Sequence, residues 1–465
     1  MEKQKRSSFS GTLGFIMAAA GSAVGLGNIW RFPYLAAKDG GGTFLVIYVI
    51  LVLTFGFTLL TTEIAIGRKT GQGPLTAFGC LHPKWKPLGV VACLIPAIIL
   101  PYYCAIGGWV IKYMLVYLTG NGSAAAADGY FTSFISGTWQ PIVLMLVYLG
   151  ITFFVVYNGV EGGIERCSKI MMPILFVIII AISVYSMTLS YTDAAGVTRT
   201  GLEGLKIYLV PDFTGMTLQQ FFIILMDAMG QLFFSISVAM GIMVAYGSYA
   251  RKDSNLMSSI NQIEFFDSAV AILAGMMIIP AVFTFMGREG MSSGPGLMFV
   301  SLPKVFDSMG RMSGIVGFVF FVMVVFAAVT SSISIMEAIV SSLMDKFHWS
   351  RKKGTILVTL YAFVFGLIVC FGYNYLYFEV TLPNGTVGQI LDILDYISNN
   401  CLMPLCALFE CILIGWVVGP RTVIDEVTQG KYKFHRRGLY IVMIKVIAPV
   451  LLILLFLQSF GILTL

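Results

Sequence analysis

The chain has 465 residues, of which 58% are hydrophobic and only 11% are charged, and its mean hydropathy is +0.88. A soluble domain normally has about 25% charged residues, so this composition excludes an ordinary water-soluble fold and favours the bilayer as solvent. The net charge of +6 comes without basic patches interleaved with aromatic residues, which argues against nucleic acid as a partner.

Apolar stretches near or above the roughly 20 residues needed to cross a bilayer recur along the whole chain. Short polar or Gly/Pro-rich connectors separate them, which indicates a single transmembrane domain over residues 1–465 without a soluble module. The pattern predicts an all-α polytopic membrane protein with eleven transmembrane helices at about residues 10–37, 43–67, 88–116, 139–157, 168–190, 219–247, 260–286, 313–343, 355–372, 387–418 and 438–464.

The positive charges predict the orientation of these spans. Most of the 29 Lys and Arg residues fall in connectors on the same side as the N-terminus, and positive connectors face the cytoplasm. We therefore expect a cytoplasmic N-terminus and an external C-terminus, in a multi-pass protein of a bacterial inner membrane. The basic segment 1–10 lacks a convincing cleavage site and is expected to be retained.

Two spans have compositions that weaken a helix at mid-membrane. The first has Gly21, Gly25 and Gly27 at its middle, and the sixth has serines and glycines over residues 230–241. Small residues often serve close helix packing. However, each segment opens a set of five spans, as in inverted repeats with discontinuous helices. This order predicts a 5+5 inverted repeat, with a first repeat at about 10–190, a second at about 219–418 and an extra helix at about 438–464.

Polar and ionisable groups inside the predicted spans are a second signal, because such groups are costly in the membrane and usually functional. The eighth span contains a hydroxyl cluster at residues 327–334, which either bonds back to its own helix or ligates a cation. Two Arg–Asp pairs are either gating pairs or structural ion pairs, namely Arg31 with Asp395 and Arg6 with Asp345. The acids within apolar runs are Glu63, Asp267, Asp392, Asp395 and Glu410.

The block GSAVGLGNIWRFPY at residues 21–34 is highly specific. Together with Tyr102-Tyr103, the segment 231–241 and Thr330-Ser331-Ser332, it resembles the neurotransmitter:sodium symporter family, and most of all its bacterial eleven-span amino-acid transporters with the leucine-transporter-like fold. The resemblance extends over essentially the whole chain. It implies sodium-coupled symport of neutral hydrophobic L-amino acids by alternating access, with two Na⁺ sites and no obligatory protein partner.

The resemblance also implies the roles of individual residues. The first sodium site is expected to use Ala23, Asn28, Ser235 and Asp267. The second sodium site is expected to use Gly21, Val24, Ala327, Thr330 and Ser331. The substrate is expected to contact Ala23, Val24, Leu26, Gly27, Tyr103, Phe234, Ser235, Ser237, Met240, Ser331 and Ile335.

Gating residues follow from the same resemblance. The expected outer gate is Arg31 with Asp395, and the expected inner gate is Arg6, Tyr249 and Asp345. Gly163 and Pro173 in the fifth span are expected to let its inner end unwind, because glycine and proline both weaken a helix. An ordinary kink is the alternative for that pair.

Three positions discriminate within the family. At the position of Gly25, amine-transporting members have an aspartate. The absence of that carboxylate here favours a substrate that has its own carboxylate. Met240 replaces an aromatic residue of leucine-type members, and its flexible thioether leaves room for large side chains, aromatic ones included. Asp267 supplies a fixed negative charge where chloride-dependent members lack an acid, so chloride-independent transport is expected.

Other classes of protein fit the sequence less well. An intramembrane enzyme needs a nucleophile with a base, or metal ligands. The three histidines lie in or near connectors, the eight cysteines show no CxxC spacing, and neither GxSxG nor HExxH occurs. We therefore expect no enzymatic activity. A channel on the same scaffold, or a carrier driven by protons instead of sodium, remains an alternative.

Overall fold

The computed structural model describes residues 8–193, 196–290 and 294–463. Within these ranges, ten helices are long and apolar enough to cross a bilayer, and one bent helix pair supplies an eleventh span. The predicted all-α architecture is confirmed. In chain order the spans are Thr12–Ala23 with Gly27–Lys38, Gly42–Thr70, Pro83–Leu118, Trp139–Tyr157, Val160–Met187, Leu218–Ser235, Leu256–Arg288, Gly310–Phe347, Arg351–Phe371, Ile390–Val417 and Arg437–Ser459.

The sixth span is also interrupted. Its helix Leu218–Ser235 ends at a non-helical segment, and a second helix, Ile242–Tyr249, follows after it. The first and sixth spans are therefore both discontinuous, as predicted. Wide π-helical turns, which are often found at functional sites, occur in several other spans, at Val52–Gly56, Val160–Glu165, Tyr396–Leu402, Leu413–Val417 and Met443–Ile447.

Short elements between the spans were not predicted from the sequence. Two antiparallel hairpins pair Ser190–Thr192 with Thr198–Thr200 and Val380–Thr381 with Val387–Gly388. The helix Gly201–Leu209 begins with a capping box in which Thr200 and Glu203 satisfy each other's backbone amides. The other short helices are Pro74–Leu81, Gly122–Ala125, Tyr130–Ile135, Gly294–Leu297, Ser301–Ser308, Arg421–Val427 and Gln429–Lys431.

Glycines allow the spans to pack closely around the interrupted helices. A Cβ atom at Gly67 of the second span would lie 2.0 Å from the carbonyl oxygen of Val244. A Cβ atom at Gly108 of the third span would lie 2.6 Å from the amide nitrogen of Met145. Close backbone approach at small residues is the usual packing mode of membrane helices, and it brings the two helix breaks into the centre of the bundle.

Candidate functional site

The break in the first span exposes backbone groups at the centre of the protein. The helix Thr12–Ala23 is followed by Val24 in an extended conformation, and the chain becomes helical again at Gly27 after a bend of 52°. Val24 and Leu26 are at most 1% exposed. Carbonyl and amide groups freed at such a break can bind ions and polar ligands, because irregular backbone at this depth must find partners inside the protein.

The break in the sixth span is a tight left-handed segment. Ser237, Ala239 and Gly241 have φ values of 53°, 61° and 71°. The carboxylate of Glu63, one of the acids identified in the sequence, accepts a hydrogen bond from the backbone amide of Ala239. Gln231 joins the two breaks, because its side-chain nitrogen donates to the carbonyl oxygen of Gly27 at 3.0 Å.

A buried polar cluster lies where the two breaks meet the seventh span. The side-chain nitrogen of Asn28 donates to the Ser235 hydroxyl at 2.9 Å and to the Asp267 carboxylate at 2.8 Å. The Ser235 hydroxyl lies 2.9 and 3.1 Å from the two Asp267 oxygens, and the Tyr48 hydroxyl lies 3.2 Å from it. All four side chains are fully buried. A carboxylate and a hydroxyl oxygen are hard ligands of the kind that Na⁺ requires, so Asp267 and Ser235 fit a sodium ion. Asn28 would join them by turning its amide oxygen, which accepts from the Gly25 amide at 3.3 Å, towards the cluster.

A second cluster joins the first and eighth spans. The Ser331 hydroxyl lies 3.2 Å from the carbonyl oxygen of Ser22 and 3.3 Å from that of Val24. The Thr330 hydroxyl bonds back to its own helix, at 3.1 Å from the carbonyl oxygen of Ala327. A Cβ atom at Gly21 would lie 3.4 Å from Thr330. The structure thus brings together the residues predicted for the second sodium site, with carbonyl and hydroxyl oxygens but without a carboxylate.

A cavity of about 20 Å³ lies between these clusters, with room for about one water molecule. Six of its lining residues were predicted as substrate contacts, and three others, Ser22, Gly25 and Ile99, were not. The backbone amide of Leu26 faces the Tyr103 hydroxyl at 3.5 Å. The complete lining is Ser22, Gly25, Ile99, Tyr103, Phe234, Ser237, Met240, Ser331 and Ile335.

Two glycines determine the shape of this cavity. A Cβ atom at Gly25 would lie 2.7 Å from the Ser331 hydroxyl oxygen and 3.3 Å from that of Tyr103. A Cβ atom at Gly27 would lie 2.3 Å from the Phe234 ring. Phe234 therefore packs directly on the backbone of the first break, and no larger residue fits at either position without movement.

The two residues predicted for the outer gate are apart in this structure. Among the described residues, no ion pair within 4.0 Å joins Arg31 to Asp395. Asp395 instead accepts hydrogen bonds from the Tyr102 hydroxyl at 3.2 Å and from the Asn399 amide at 2.5 Å. Arg31 lines an outer cavity of about 220 Å³ together with Asn399 and Asp227. A contact between the predicted partners through water is compatible with this arrangement.

A charged cluster not predicted from the sequence links the outer ends of the first and sixth spans. The Lys38 ammonium lies 2.7 Å from Asp227 and 3.8 Å from Asp39. Asp39 follows the last helical residue of the first span and is 7% exposed. Burial and, to a lesser extent, the negative charge of Asp227 together raise the pKa of Asp39 to about 7, because Lys38 offsets only part of their effect.

This shift predicts a pH-dependent stability. Folded Asp39 retains its proton up to about pH 7, whereas the unfolded side chain loses it near 3.8. Its contribution to the free energy of unfolding is therefore fully present below about pH 3.8 and is lost as the pH rises to about 7. We expect the thermal midpoint in detergent to fall between pH 5 and 8, and to fall less in Asp39→Asn. Asp212→Asn, which changes an exposed acid of the neighbouring loop, should keep the wild-type slope. Parallel profiles for Asp39→Asn and wild type would contradict this prediction.

An ion pair that the sequence analysis missed contacts Tyr249, one of the residues predicted for the inner gate. The Tyr249 hydroxyl donates to Glu337 at 2.6 Å, and Arg351 forms an ion pair with the same carboxylate at 2.6 Å. Asp345 accepts from the backbone amide of Gly73. Arg6, the third predicted residue of the inner gate, lies outside the described residues. Glu337 lies within a long apolar run, and an isolated acid of that kind is the signal that could have identified it.

The fifth span is continuously helical between the two predicted weak points. Gly163 lies in the π-helical turn Val160–Glu165, and Pro173 lies inside the following helix Arg166–Met187. A Cβ atom at Gly163 would lie 1.9 Å from the carbonyl oxygen of Val155 in the fourth span. In this conformation Gly163 therefore acts as a close contact between helices, and the inner end of the span is wound.

Comparison with known proteins agrees with this geometry. Residues 6–133 and 130–464 match the Sodium:neurotransmitter symporter family. The chain is 34% identical to the uncharacterized sodium-dependent transporter YhdH of Bacillus subtilis (strain 168), with all of both chains covered. It is 26% identical to the human sodium- and chloride-dependent GABA transporter 2, over 91% of this chain and 75% of that protein. The crystal structure of MhsT in complex with L-phenylalanine is similar, with a TM-score of 0.85 and 35% identity over 98% of this chain and 100% of MhsT.

Eleven spans with two central breaks define a polytopic membrane transporter. The chain belongs to the sodium:neurotransmitter symporter family, and it is a sodium-dependent transporter, not an enzyme. The family resemblance, the fold class and the expected absence of enzymatic activity are thereby confirmed.

Proposed function

We propose that this transporter couples the sodium gradient to the uptake of neutral hydrophobic L-amino acids, both aliphatic and aromatic, without a requirement for chloride. One observation supports this most directly: none of the nine described residues that line the central cavity has a charged side chain. A substrate with a net charge would lie there uncompensated, which is costly in a buried site. A zwitterion can instead be held by the backbone dipoles of the two breaks.

The proposed orientation of the substrate follows from these dipoles. Its α-carboxylate meets the amides of Leu26 and Gly27, at the positive end of the second half of the first span, and the Tyr103 hydroxyl. Its ammonium group meets the carbonyl groups near the breaks, at Ala23, Phe234 and Ser235, and the Ser237 hydroxyl. The side chain then lies among Val24, Tyr103, Phe234, Met240, Ser331 and Ile335.

Two sodium ions are proposed beside the substrate. The first is held by the Asn28, Ser235 and Asp267 cluster with the Ala23 carbonyl, close to the substrate carboxylate. The second is held by Ser331 and Thr330 with carbonyl oxygens of Gly21, Val24 and Ala327. The buried Asp267 carboxylate supplies a negative charge of the protein itself next to the first ion, which supports transport without chloride.

A range of side-chain sizes is proposed because the cavity wall is adaptable. Met240 belongs to its apolar part, with Ile99, Phe234 and Ile335, and a thioether side chain can move to fill different shapes. Its present volume of about 20 Å³ is too small for any amino acid, so the wall must move when substrate enters. The related MhsT, with 35% identity, is known in complex with L-phenylalanine, which supports the inclusion of aromatic side chains.

Alternating access is the proposed mechanism. Sodium and substrate complete the contacts between the two breaks, after which Arg31 and Asp395 approach and close the outer side. Opening of the inner side then separates Tyr249 from its partners and unwinds the fifth span near Gly163 and Pro173. With the N-terminus in the cytoplasm of a bacterial cell, the membrane potential adds about 2.3 kcal/mol per charge per 100 mV.

Uptake by purified transporter in liposomes tests the proposal. Labelled leucine should accumulate above equilibrium with an inward sodium gradient, and accumulation should be at least about tenfold lower when potassium replaces sodium, a difference of ~1.4 kcal/mol. Unlabelled Phe, Trp, Tyr, Ile, Val and Met should compete with it. Liposomes without protein provide the background.

Three results would contradict parts of the proposal. Failure of Trp and Tyr to displace leucine would exclude aromatic substrates. Equal uptake in sodium and potassium at an imposed proton gradient would indicate proton coupling. Equilibration without accumulation would indicate a channel.

A further inference from the structure

A basic cavity lies at the connector between the tenth and eleventh spans. Its volume is about 550 Å³. The short helix Arg421–Val427 forms one wall, where residues 421, 424, 425 and 428 are spaced to lie on one helical face. The opposite wall is the segment from Tyr432 to Arg437. Neither the substrate site nor either gate involves these residues.

The cavity has an excess of positive charge. Arg421, Lys433 and Arg437 line it together with His435, against the single carboxylate of Asp425. In the described part of the chain, no carboxylate lies within 4.0 Å of the three permanent cations, and all three are exposed. The adjacent Arg436, in contrast, points away from the cavity lining and is paired with Glu264 at 2.8 Å.

The position of this cavity in the chain predicts that it lies near the lipid headgroups. The tenth span ends at Val417 and the eleventh begins at Arg437, so the connector starts and ends at the membrane surface. The two spans that flank the connector present exposed apolar side chains, with Trp416 at 66% and Val446 at 55%, and the Trp416 indole donates to the carbonyl oxygen of Lys445 in the eleventh span. Tryptophan at such a position is typical of the interface between headgroups and acyl chains.

We propose that this cavity binds the headgroup of an anionic glycerophospholipid, whose phosphate meets Arg421, Lys433 and Arg437 while its acyl chains lie along the eleventh span. Basic pockets beside membrane helices suit such headgroups, because several cations share the phosphate charge. A free phosphate ion would use the cations but not the exposed apolar surface next to them. The proposal is independent of the transported amino acid and of the side of the membrane on which the connector lies.

Lipid binding to the purified full-length transporter tests this site. Native mass spectrometry would compare cardiolipin and phosphatidylglycerol with phosphatidylcholine of the same chain length. The variant with Arg421→Gln, Lys433→Gln and Arg437→Gln should bind both anionic lipids at least about tenfold more weakly, because each surface cation contributes to the attraction. Phosphatidylcholine binding should be weak in both proteins.

A matched variant separates a defined site from general attraction. A second triple variant removes three exposed cations at the ends of other spans and should change anionic lipid binding less than twofold; its substitutions are Lys84→Gln, Lys86→Gln and Lys352→Gln. Equal weakening in both variants, or unchanged binding in the first, would overturn the proposal. Competition by inorganic phosphate at the same concentration as the lipid would overturn the lipid as ligand. Sodium-driven uptake by both variants verifies that they are folded.

Discussion

Replacement of Asp267 by serine is expected to make transport dependent on chloride. The Asp267 carboxylate is fully buried and lies 2.8 Å from the Asn28 amide and 2.9 Å from the Ser235 hydroxyl. Without its charge, sodium would enter a buried site that has no compensating anion. Uptake by Asp267→Ser in gluconate medium should fall at least about tenfold, ~1.4 kcal/mol, and chloride should restore part of it.

The adjacent position provides the control for this experiment. The Ser268 hydroxyl bonds back to the carbonyl oxygen of Glu264 at 2.8 Å and does not contact the cluster, so Ser268→Ala should transport equally in chloride and gluconate. Wild-type uptake should also be the same in both media. If wild-type uptake is lost in gluconate, Asp267 does not replace an anion. If Asp267→Ser takes up substrate normally in gluconate medium, the charge of the Asp267 carboxylate is not needed for transport.

Replacement of Gly163 by alanine is expected to destabilise the protein strongly. The added Cβ atom would lie 1.9 Å from the carbonyl oxygen of Val155, so the fourth and fifth spans must separate. Overpacking of this kind typically costs about 1–3 kcal/mol, and more where rigid backbone is the obstacle. We expect a lower thermal midpoint in detergent and a lower yield of folded protein.

Gly162 is a matched control one residue earlier in the same turn. A Cβ atom there would meet nothing within 4 Å, and Gly162→Ala should therefore have a near-normal thermal midpoint. Equal midpoints for the two variants would contradict the close contact at Gly163. Reduced uptake by correctly folded Gly163→Ala would indicate that the position also takes part in conformational change.

The spans and the two breaks could be predicted from the sequence, because apolar length and clustered glycines are local signals. The glycines at 21, 25 and 27 indicated the first break. The polar cluster of Asn28, Ser235 and Asp267 joins residues far apart in the chain, and only the family resemblance brought them together. The structure agrees with that grouping and leaves the proposed role in sodium binding to be tested.

Other features could not be predicted, because their signals are not local. Tyr48 lies in an ordinary apolar run, and nothing in its neighbourhood indicates a hydroxyl beside Ser235. The ion pair between Glu337 and Arg351 depends on the relative rotation of the eighth and ninth spans about their axes. The hairpins and short helices of the connectors are too brief to show a periodic pattern.

The left-handed segment of the sixth span has a consequence for how ligands bind. Ser237 and Ala239 are not glycines, yet both have positive φ values, a conformation that costs about 1–3 kcal/mol for each such residue. Surrounding contacts, including the one from Glu63 to the Ala239 amide, keep the chain bent against this local preference. An arriving zwitterion thus encounters dipoles that are already oriented, and little of its affinity is lost in ordering the backbone.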